Sequence, residues 1–132
     1  MEYTIEFGGE PQDLTVTLSG PADPAAFREY NDRIVSDPRF RAGLAILIDV
    51  SSLDTSHLTD DDLQVASAPM TQRDWDYPPL AIAVVAPDPQ TYEDMTIARA
   101  HAGGRSSRRR VFTSREAALA WLSEEKRGRD RP

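Results

Sequence analysis

The sequence contains no cysteine, which excludes disulfide bonds, thiolate catalysis and cysteine-ligated zinc. It also has no long apolar run. The longest, residues 80–86, is far shorter than the roughly 20 residues of a membrane-spanning helix. Residues 1–6 lack the basic and apolar stretches of a secretory signal. These absences predict a cytoplasmic protein without a membrane span.

Basic residues are the minority among the charges, with 15 Lys+Arg against 22 Asp+Glu and a net charge of -7. An excess of negative charge repels phosphate backbones, so general nucleic-acid binding is disfavoured. The 39% hydrophobic content is typical of a folded chain, and 132 residues is the size of one domain. We therefore expect a single domain over residues 1–125 and a frayed, charged tail over residues 126–132.

Two patterns of apolar residues alternate along the chain. Period-two or continuous apolar stretches predict strands, and apolar positions three or four residues apart predict helices. The resulting order is β-β-α-β-α-β-α-β-α. It predicts an α/β fold with a mixed, mostly parallel sheet of about five strands and four helices. The predicted strands centre on residues 3–7, 14–18, 44–48, 80–85 and 111–112.

Capping residues mark the predicted helix starts. Asp23-Pro24 and Asp88-Pro89 each combine a capping side chain with a proline suited to the first helical position. Thr59 is expected to cap the second helix, and Thr113 with Glu116 to form a capping box for the last. The residues that we expect to be largely buried are Phe27, Tyr30, Ile46, Ile48, Ile82, Val84 and Trp121.

Two stretches resemble the STAS family, the anti-sigma-factor-antagonist domains. The strand at 46–50 contains Asp49 at its end and is followed by the pair Asp54-Thr55, similar to the family's strand and Asp-Ser/Thr pair. The end of the chain, a Val-Phe strand at 111–112 and the helical run 116–122, resembles small uncharacterised bacterial members. The resemblance spans roughly residues 14–122. It implies a STAS-like fold and a regulatory domain that contacts other proteins.

The same resemblance places Thr55 at the position of the family's phosphoacceptor. Because ligands gather at the carboxyl ends of parallel strands, we expect Asp49, Asp54, Thr55 and Ser56 to form an exposed recognition loop near the start of the second helix. The spacing between Asp49 and Asp54 is shorter than in the signalling members. The alternative interpretation is that these four residues belong to a polar loop whose only role is to cap the second helix.

A second candidate site is basic. Arg105, Arg108, Arg109 and Arg110 predict a patch for an anion or an acidic partner surface, and a solvated loop before an edge strand is the alternative. The histidines lack metal-ligand spacing, and residues 60–62 are explained by a helix start. The sequence shows no plausible nucleophile–base pair or Gly-rich phosphate loop. We therefore predict no metal, cofactor or catalytic site.

Two functions remain open at this point. The first is a non-enzymatic regulatory module that works through protein contact at residues 49–59. The alternative is a carrier or sensor of a small apolar or lipidic ligand, held under the second helix and the segment from Trp75 to Tyr77. An enzyme ranks third. The sequence leaves the oligomeric state open and is compatible with a weak homodimer.

The charge balance generates a prediction about DNA. The protein should show no sequence-independent binding to duplex DNA at physiological salt, because its net charge of -7 opposes the phosphate backbone. A gel-shift titration over a range of salt concentrations measures this. Micromolar binding that weakens with salt would contradict the prediction and would point to the arginine cluster.

Overall fold

The computed structural model describes residues 1–41, 43–59, 61–62, 81–101 and 108–130. Within these ranges the order of elements agrees with the predicted alternation of strands and helices. The elements are β1 (Glu2–Phe7), β2 (Leu14–Pro21), α1 (Pro24–Ser36), β3 (Ala45–Asp54), β4 (Ala81–Val85), α2 (Pro89–His101), β5 (Arg108–Phe112) and α3 (Arg115–Asp130).

The strands form one mixed, five-stranded sheet in the order β1-β2-β3-β4-β5. β1 pairs with β2 antiparallel, and the other three pairings are parallel. Strand order therefore follows chain order across the whole sheet. When each right-handed connection between parallel strands leads to the next strand in the same direction across the sheet, the connecting helices all lie on the same face. The sheet agrees with the predicted mixed α/β class.

Three helices lie within the described residues, whereas we predicted four. Only the start of the predicted second helix is described. There the amide of Thr59 donates to Asp62 Oδ2 at 3.0 Å, and the amide of Asp62 donates to Thr59 Oγ1 at 3.1 Å. These reciprocal bonds have the form of a capping box, and residues 61–62 are helical. The rest of this helix lies outside the described residues.

The core lies on both faces of the sheet. On one face, α1 packs its buried residues Phe27, Tyr30 and Ile34 against β2, β3 and β4, and Met95 of α2 packs against the same cluster. On the other face, α3 packs Ala118 and Leu122 against β3 and β4. This arrangement agrees with crossovers that all step in one direction, because among the described helices only α3, which follows the last strand, covers the second face.

Central strand β3 is covered on both faces, as its continuous apolar sequence indicates. Ile46 and Ile48 belong to the cluster under α1, and Leu47 belongs to the cluster under α3. Ile82 and Val84 of β4 are also buried. The core prediction is confirmed except at Trp121, which is only partly buried and packs against Phe112 with ring centroids 5.6 Å apart.

The helix caps agree in part with the prediction. Asp23 caps α1, since its Oδ1 accepts the amide of Ala25 at 3.0 Å. The last helix begins one residue later than predicted. Ser114 Oγ accepts the amide of Ala117 at 3.1 Å, so Ser114 is the cap and the predicted capping box of Thr113 with Glu116 is wrong.

The last helix also continues through Asp130, beyond residue 126, where we expected fraying to begin. Lys126 is held by Asp13, with Nζ 2.9 Å from Oδ1. Asp13 also accepts the amide of Ala45 on Oδ2 at 2.9 Å, and its own amide donates to the Ala45 carbonyl at 2.8 Å. One carboxylate thus joins the entry of β2, the start of β3 and the last helix.

Asp13 provides a pH-dependent prediction. Partial burial raises the pKa of Asp13, but the bonds from the Ala45 amide and Lys126 outweigh it, and the net pKa lies below the ordinary value of 3.8. Because the pKa of Asp13 is lower in the folded state than in the unfolded state, its ionised form stabilises the fold at pH values above the unfolded-state pKa. This contribution to the free energy of unfolding is lost as the pH falls through the folded-state pKa. Asp13→Asn should therefore lower the free energy of unfolding at pH 7 by about 1 kcal/mol.

The difference in free energy of unfolding between wild type and Asp13→Asn should become smaller below about pH 4, because Asp13 of the wild type becomes protonated. Urea unfolding at several pH values measures it. The control is Asp32→Asn on the exposed side of α1. A difference between wild type and Asp13→Asn that stays constant down to pH 2 would argue against an ionised, paired Asp13.

Candidate functional site

A cleft opens at the carboxyl edge of the parallel strands, where β3 is longer than β4. The two strands pair only as far as Asp49 with Val85. β3 continues to Asp54, and within the described part of the chain it pairs there with β2 alone. The resulting cleft has a volume of about 350 Å³. We call it the carboxyl-edge cleft; it is lined by Ser51, Ser52, Leu53, Asp54, Thr55, Ser56, Asp88, Gln90 and Thr91.

The second wall of the cleft is the start of α2. After β4 the chain passes through Pro87 and enters the helix at Pro89. Asp88 caps this helix, since its Oδ2 accepts the amide of Thr91 at 3.0 Å and its carbonyl accepts the amide of Tyr92 at 2.8 Å. The predicted Asp88-Pro89 helix start is confirmed. The turn carries the chain away from β3 and leaves the end of β3 without a neighbour from β4.

Asp49 was predicted to end its strand, but it lies inside β3, which continues through residue 54. Its Oδ1 accepts the amide of Ser51 at 2.9 Å and the hydroxyl of Ser51 at 2.5 Å. Its Oδ2 lies 3.3 Å from Nη1 of Arg115 at the start of α3. Asp49 is thus a positioning residue at the carboxyl edge of the sheet and does not line the cleft.

Asp54 holds the far end of the loop. Hydrogen bonds from the side chain and the backbone of Ser56 lower the pKa of the Asp54 carboxyl, and the amide of Ser56 donates to Oδ1 at 2.9 Å. The Asp54 carbonyl accepts the amide of Ala22 at 2.8 Å, and Nε2 of His57 lies 2.7 Å from the Ala22 carbonyl. These bonds fasten the loop to the chain between β2 and α1, while Asp54 and Ser56 stay exposed.

Thr55 is buried, which contradicts the predicted accessibility of this residue. Only 3% of its surface is exposed, and its hydroxyl donates to Asp94 Oδ2 at 2.6 Å. Asp94 of α2 is itself 9% exposed and accepts a second bond from Gln90 on Oδ1 at 3.2 Å. A buried carboxylate needs such donors. Thr55 therefore ties the loop to α2, and Ser56 is the exposed hydroxyl beside it.

The predicted arginine patch is divided by the strand. Arg108, Arg109 and Arg110 lie in β5 and not in a loop before it, and Arg105 lies outside the described residues. Successive side chains of a strand point to opposite faces. The guanidinium carbon of Arg110 lies 5.1 Å from the ring centre of Phe112 on the α3 face.

Arg109 faces the opposite side of the sheet. Burial raises the pKa of Tyr30 to about 12, and the positive charge of nearby Arg109 partly counteracts this rise. Tyr30 belongs to the core under α1. Arg109 and Arg110 therefore lie on opposite faces of β5 and do not form one continuous anion-binding surface.

Sequence reasoning missed one wall of the cleft. Of the predicted residues, Asp54, Thr55 and Ser56 line the cleft and Asp49 does not, whereas Asp88, Gln90 and Thr91 were not assigned to a site. The available signal was the position of Asp88-Pro89 directly after a buried parallel strand, since such strand ends meet at one edge. Asp94 carried no local signal, because it approaches Thr55 across 39 positions of the chain.

The arrangement offers hydroxyls and carboxylates for binding. Among the described residues, no group of three or more His, Asp or Glu side chains is placed to hold a metal ion. None of the helices in the described part of the chain has both the length and the apolar character needed to cross a bilayer. Trp75 and Tyr77, on which the predicted ligand carrier depends, lie outside the described residues.

Comparison with known proteins identifies the fold. No protein-family model and no curated protein matches the chain. A solved structure does match: an uncharacterised protein from the DUF3478 family with a SpoIIAA-like fold, from Shewanella loihica PV-4. The identity is 16%, the TM-score is 0.56, and the match covers 91% of this chain and 93% of that chain. The chain therefore has a SpoIIAA-like, that is STAS-like, fold, as predicted.

The bond between Thr55 and Asp94 generates a stability prediction. Thr55→Val removes the hydroxyl and leaves a buried carboxylate with one donor fewer, which should cost about 1–3 kcal/mol. Thr55→Ser keeps the donor and should recover most of this loss. The exposed Ser56→Ala should stay within about 0.5 kcal/mol of wild type. Urea unfolding measures all three variants, and a Thr55→Val protein as stable as wild type would contradict the assignment.

Proposed function

We propose that this protein is a regulatory module that acts by binding a partner protein, and not by catalysis, with residues 49–59 as its recognition surface. The carboxyl-edge cleft is the observation that carries the proposal. It lies where ligands gather in parallel sheets, and one wall is the predicted recognition loop. The exposed lining residues Ser51, Ser52, Asp54 and Ser56 are available to a partner.

The anchoring of this loop also favours recognition. Asp49, Asp54 and Thr55 each hold a different part of it through side-chain hydrogen bonds. A surface that is ordered before binding loses less conformational entropy when a partner docks. The loop therefore combines exposed polar groups with fixed backbone geometry, which is the combination that specific protein recognition needs.

The proposal does not require phosphorylation of Thr55. The Thr55 hydroxyl is buried and donates to Asp94, so a kinase must first separate the loop from α2. A phosphate would also meet the carboxylates of Asp54 and Asp94. Ser56 is exposed and leaves the Thr55–Asp94 bond intact if it is modified. Recognition of the unmodified loop is the simpler function for this geometry.

Site-specific photo-crosslinking tests the proposal. A photoreactive amino acid replaces Ser52 in the cleft, and in a matched control it replaces Ser36, an exposed serine at the end of α1. The proteins are illuminated in a lysate of the source cells, and mass spectrometry identifies the crosslinked products. We expect a discrete protein adduct from position 52 that position 36 does not give.

A blocking variant makes the result specific. Adding Ser56→Trp to the position-52 protein fills part of the cleft and should reduce the adduct, provided that circular dichroism shows an intact fold. Equal adducts from positions 52 and 36, or no protein adduct from position 52, would refute the proposed recognition surface. An adduct of two copies of this chain would identify the partner as the protein itself.

A further inference from the structure

We propose that the carboxyl-edge cleft takes an extended, basic segment of the partner, which adds as a strand to the open edge of β3 at residues 52–54. This inference rests on the proposed function, because it states how the partner is held. It names the chemistry of the segment and the groups that recognise it: one row of backbone groups and two carboxylates.

The open edge follows from the strand register. Ser52, Leu53 and Asp54 pair with Ser19, Gly20 and Pro21 of β2, whereas pairing with β4 stops at Asp49. In a parallel sheet the backbone groups of a strand point alternately to its two neighbours. Among the residues that the structure describes, the last part of β3 has a neighbouring strand on one side only. Its other row of backbone groups faces the cleft, which is the geometry that strand addition uses.

The size of the cleft suits a short extended segment. A strand rises about 3.3 Å per residue, so three residues present an edge of roughly 10 Å. The volume of about 350 Å³ gives room for a segment of similar length beside that edge. Gln90 and Thr91 line the opposite wall, so the segment would lie between β3 and the first turn of α2.

Charge determines which segment fits. Among the described residues that line the cleft, Asp54 and Asp88 are the charged ones, both are exposed, and none is Lys, Arg or His. The whole chain adds a net charge of -7. Complementary charge speeds association and disfavours like-charged partners. A segment with lysine or arginine is therefore favoured over an acidic one.

β1 and β5 are the outer strands of the sheet and are therefore the competing edges for strand addition. β5 carries three arginines, at residues 108–110, and their positive charge opposes a basic segment. β1 carries the exposed carboxylates Glu2 and Glu6, which would attract a basic segment as the carboxylates of the cleft do. The cleft is favoured over β1 because a segment there also contacts the second wall, at Gln90 and Thr91.

A peptide titration followed by amide chemical shifts tests the inference on the full chain. The probe is a blocked pentapeptide that alternates lysine with valine. We expect the largest shifts at residues 52–54 and 88–91. A counterpart with glutamate for lysine should bind about tenfold more weakly or worse. A lysine peptide in which alternate amides are N-methylated should bind about tenfold more weakly as well, because its methylated amides cannot donate hydrogen bonds to the strand edge.

Matched protein variants locate the charge effect. Asp54→Asn keeps an acceptor for the Ser56 amide and removes one negative charge from the cleft, so it should weaken binding of the lysine peptide several-fold. Glu2→Gln removes one negative charge from β1 and should leave the affinity unchanged. Equal binding of the lysine and glutamate peptides, shifts centred on β1, or full binding of the N-methylated peptide would each overturn the inference.

The two proposals can fail separately. If position 52 crosslinks a protein but the lysine peptide produces no shifts at residues 52–54 up to millimolar concentration, the recognition surface stands and strand addition is overturned. If neither experiment gives a signal at the cleft, both proposals are overturned.

Discussion

Burial of β3 on both faces is the constraint on which the other elements depend. Its apolar run directs Ile46 and Ile48 towards α1 and Leu47 towards α3, so neither face can be left open to water. Burial of apolar surface at about 25 cal/mol per Å² makes this strand a large source of stability. The helices α1 and α3 pack on opposite faces of the sheet, where they cover the apolar side chains of β3. Its polar end, which begins at Asp49, extends past that core.

The candidate site follows from a difference in length between neighbouring strands. β3 runs to Asp54, whereas β4 ends at Val85 and the chain turns through Pro87 into α2. A proline has no amide hydrogen and cannot donate to a strand ladder, so this turn does not continue the pairing. The space left beside β3 is then bounded by the helix start. Asp94 of α2 reaches back to Thr55 and holds the two walls together.

Local chemistry predicted much of this fold. The alternating and continuous apolar runs placed all five strands, and Asp23, Thr59 and Asp88 were correctly expected to start helices. The recognition loop was expected to begin after Asp49, but β3 continues to Asp54. Only the edge of the sheet was predicted, because strand polarity determines which edge carries the loops. These features depend on residues that lie within a few positions of one another.

The errors lie where distant residues meet. Thr55 looked exposed because its neighbours in the chain are polar, and only the fold brings Asp94 to its hydroxyl. Asp13 and Lys126 are 113 positions apart, so no local pattern indicates that the end of the last helix is anchored. The arginine run was interpreted as a loop because three consecutive charged residues are unusual in a strand. In β5, Arg110 packs on Phe112 on one face and Arg109 lies near Tyr30 on the other.

The one-directional strand order has a consequence for how the sequence can change over time. On the second face α3 covers β3 and β4, while Thr4 and Thr17 of the β1–β2 hairpin remain exposed. The described residues therefore form three layers at β3 and β4 and two at the hairpin. Substitutions at these two threonines alter hydration and hairpin pairing without disturbing a packed helix. Substitutions should accordingly accumulate faster on the exposed side of the β1–β2 hairpin than among the residues buried beneath α3.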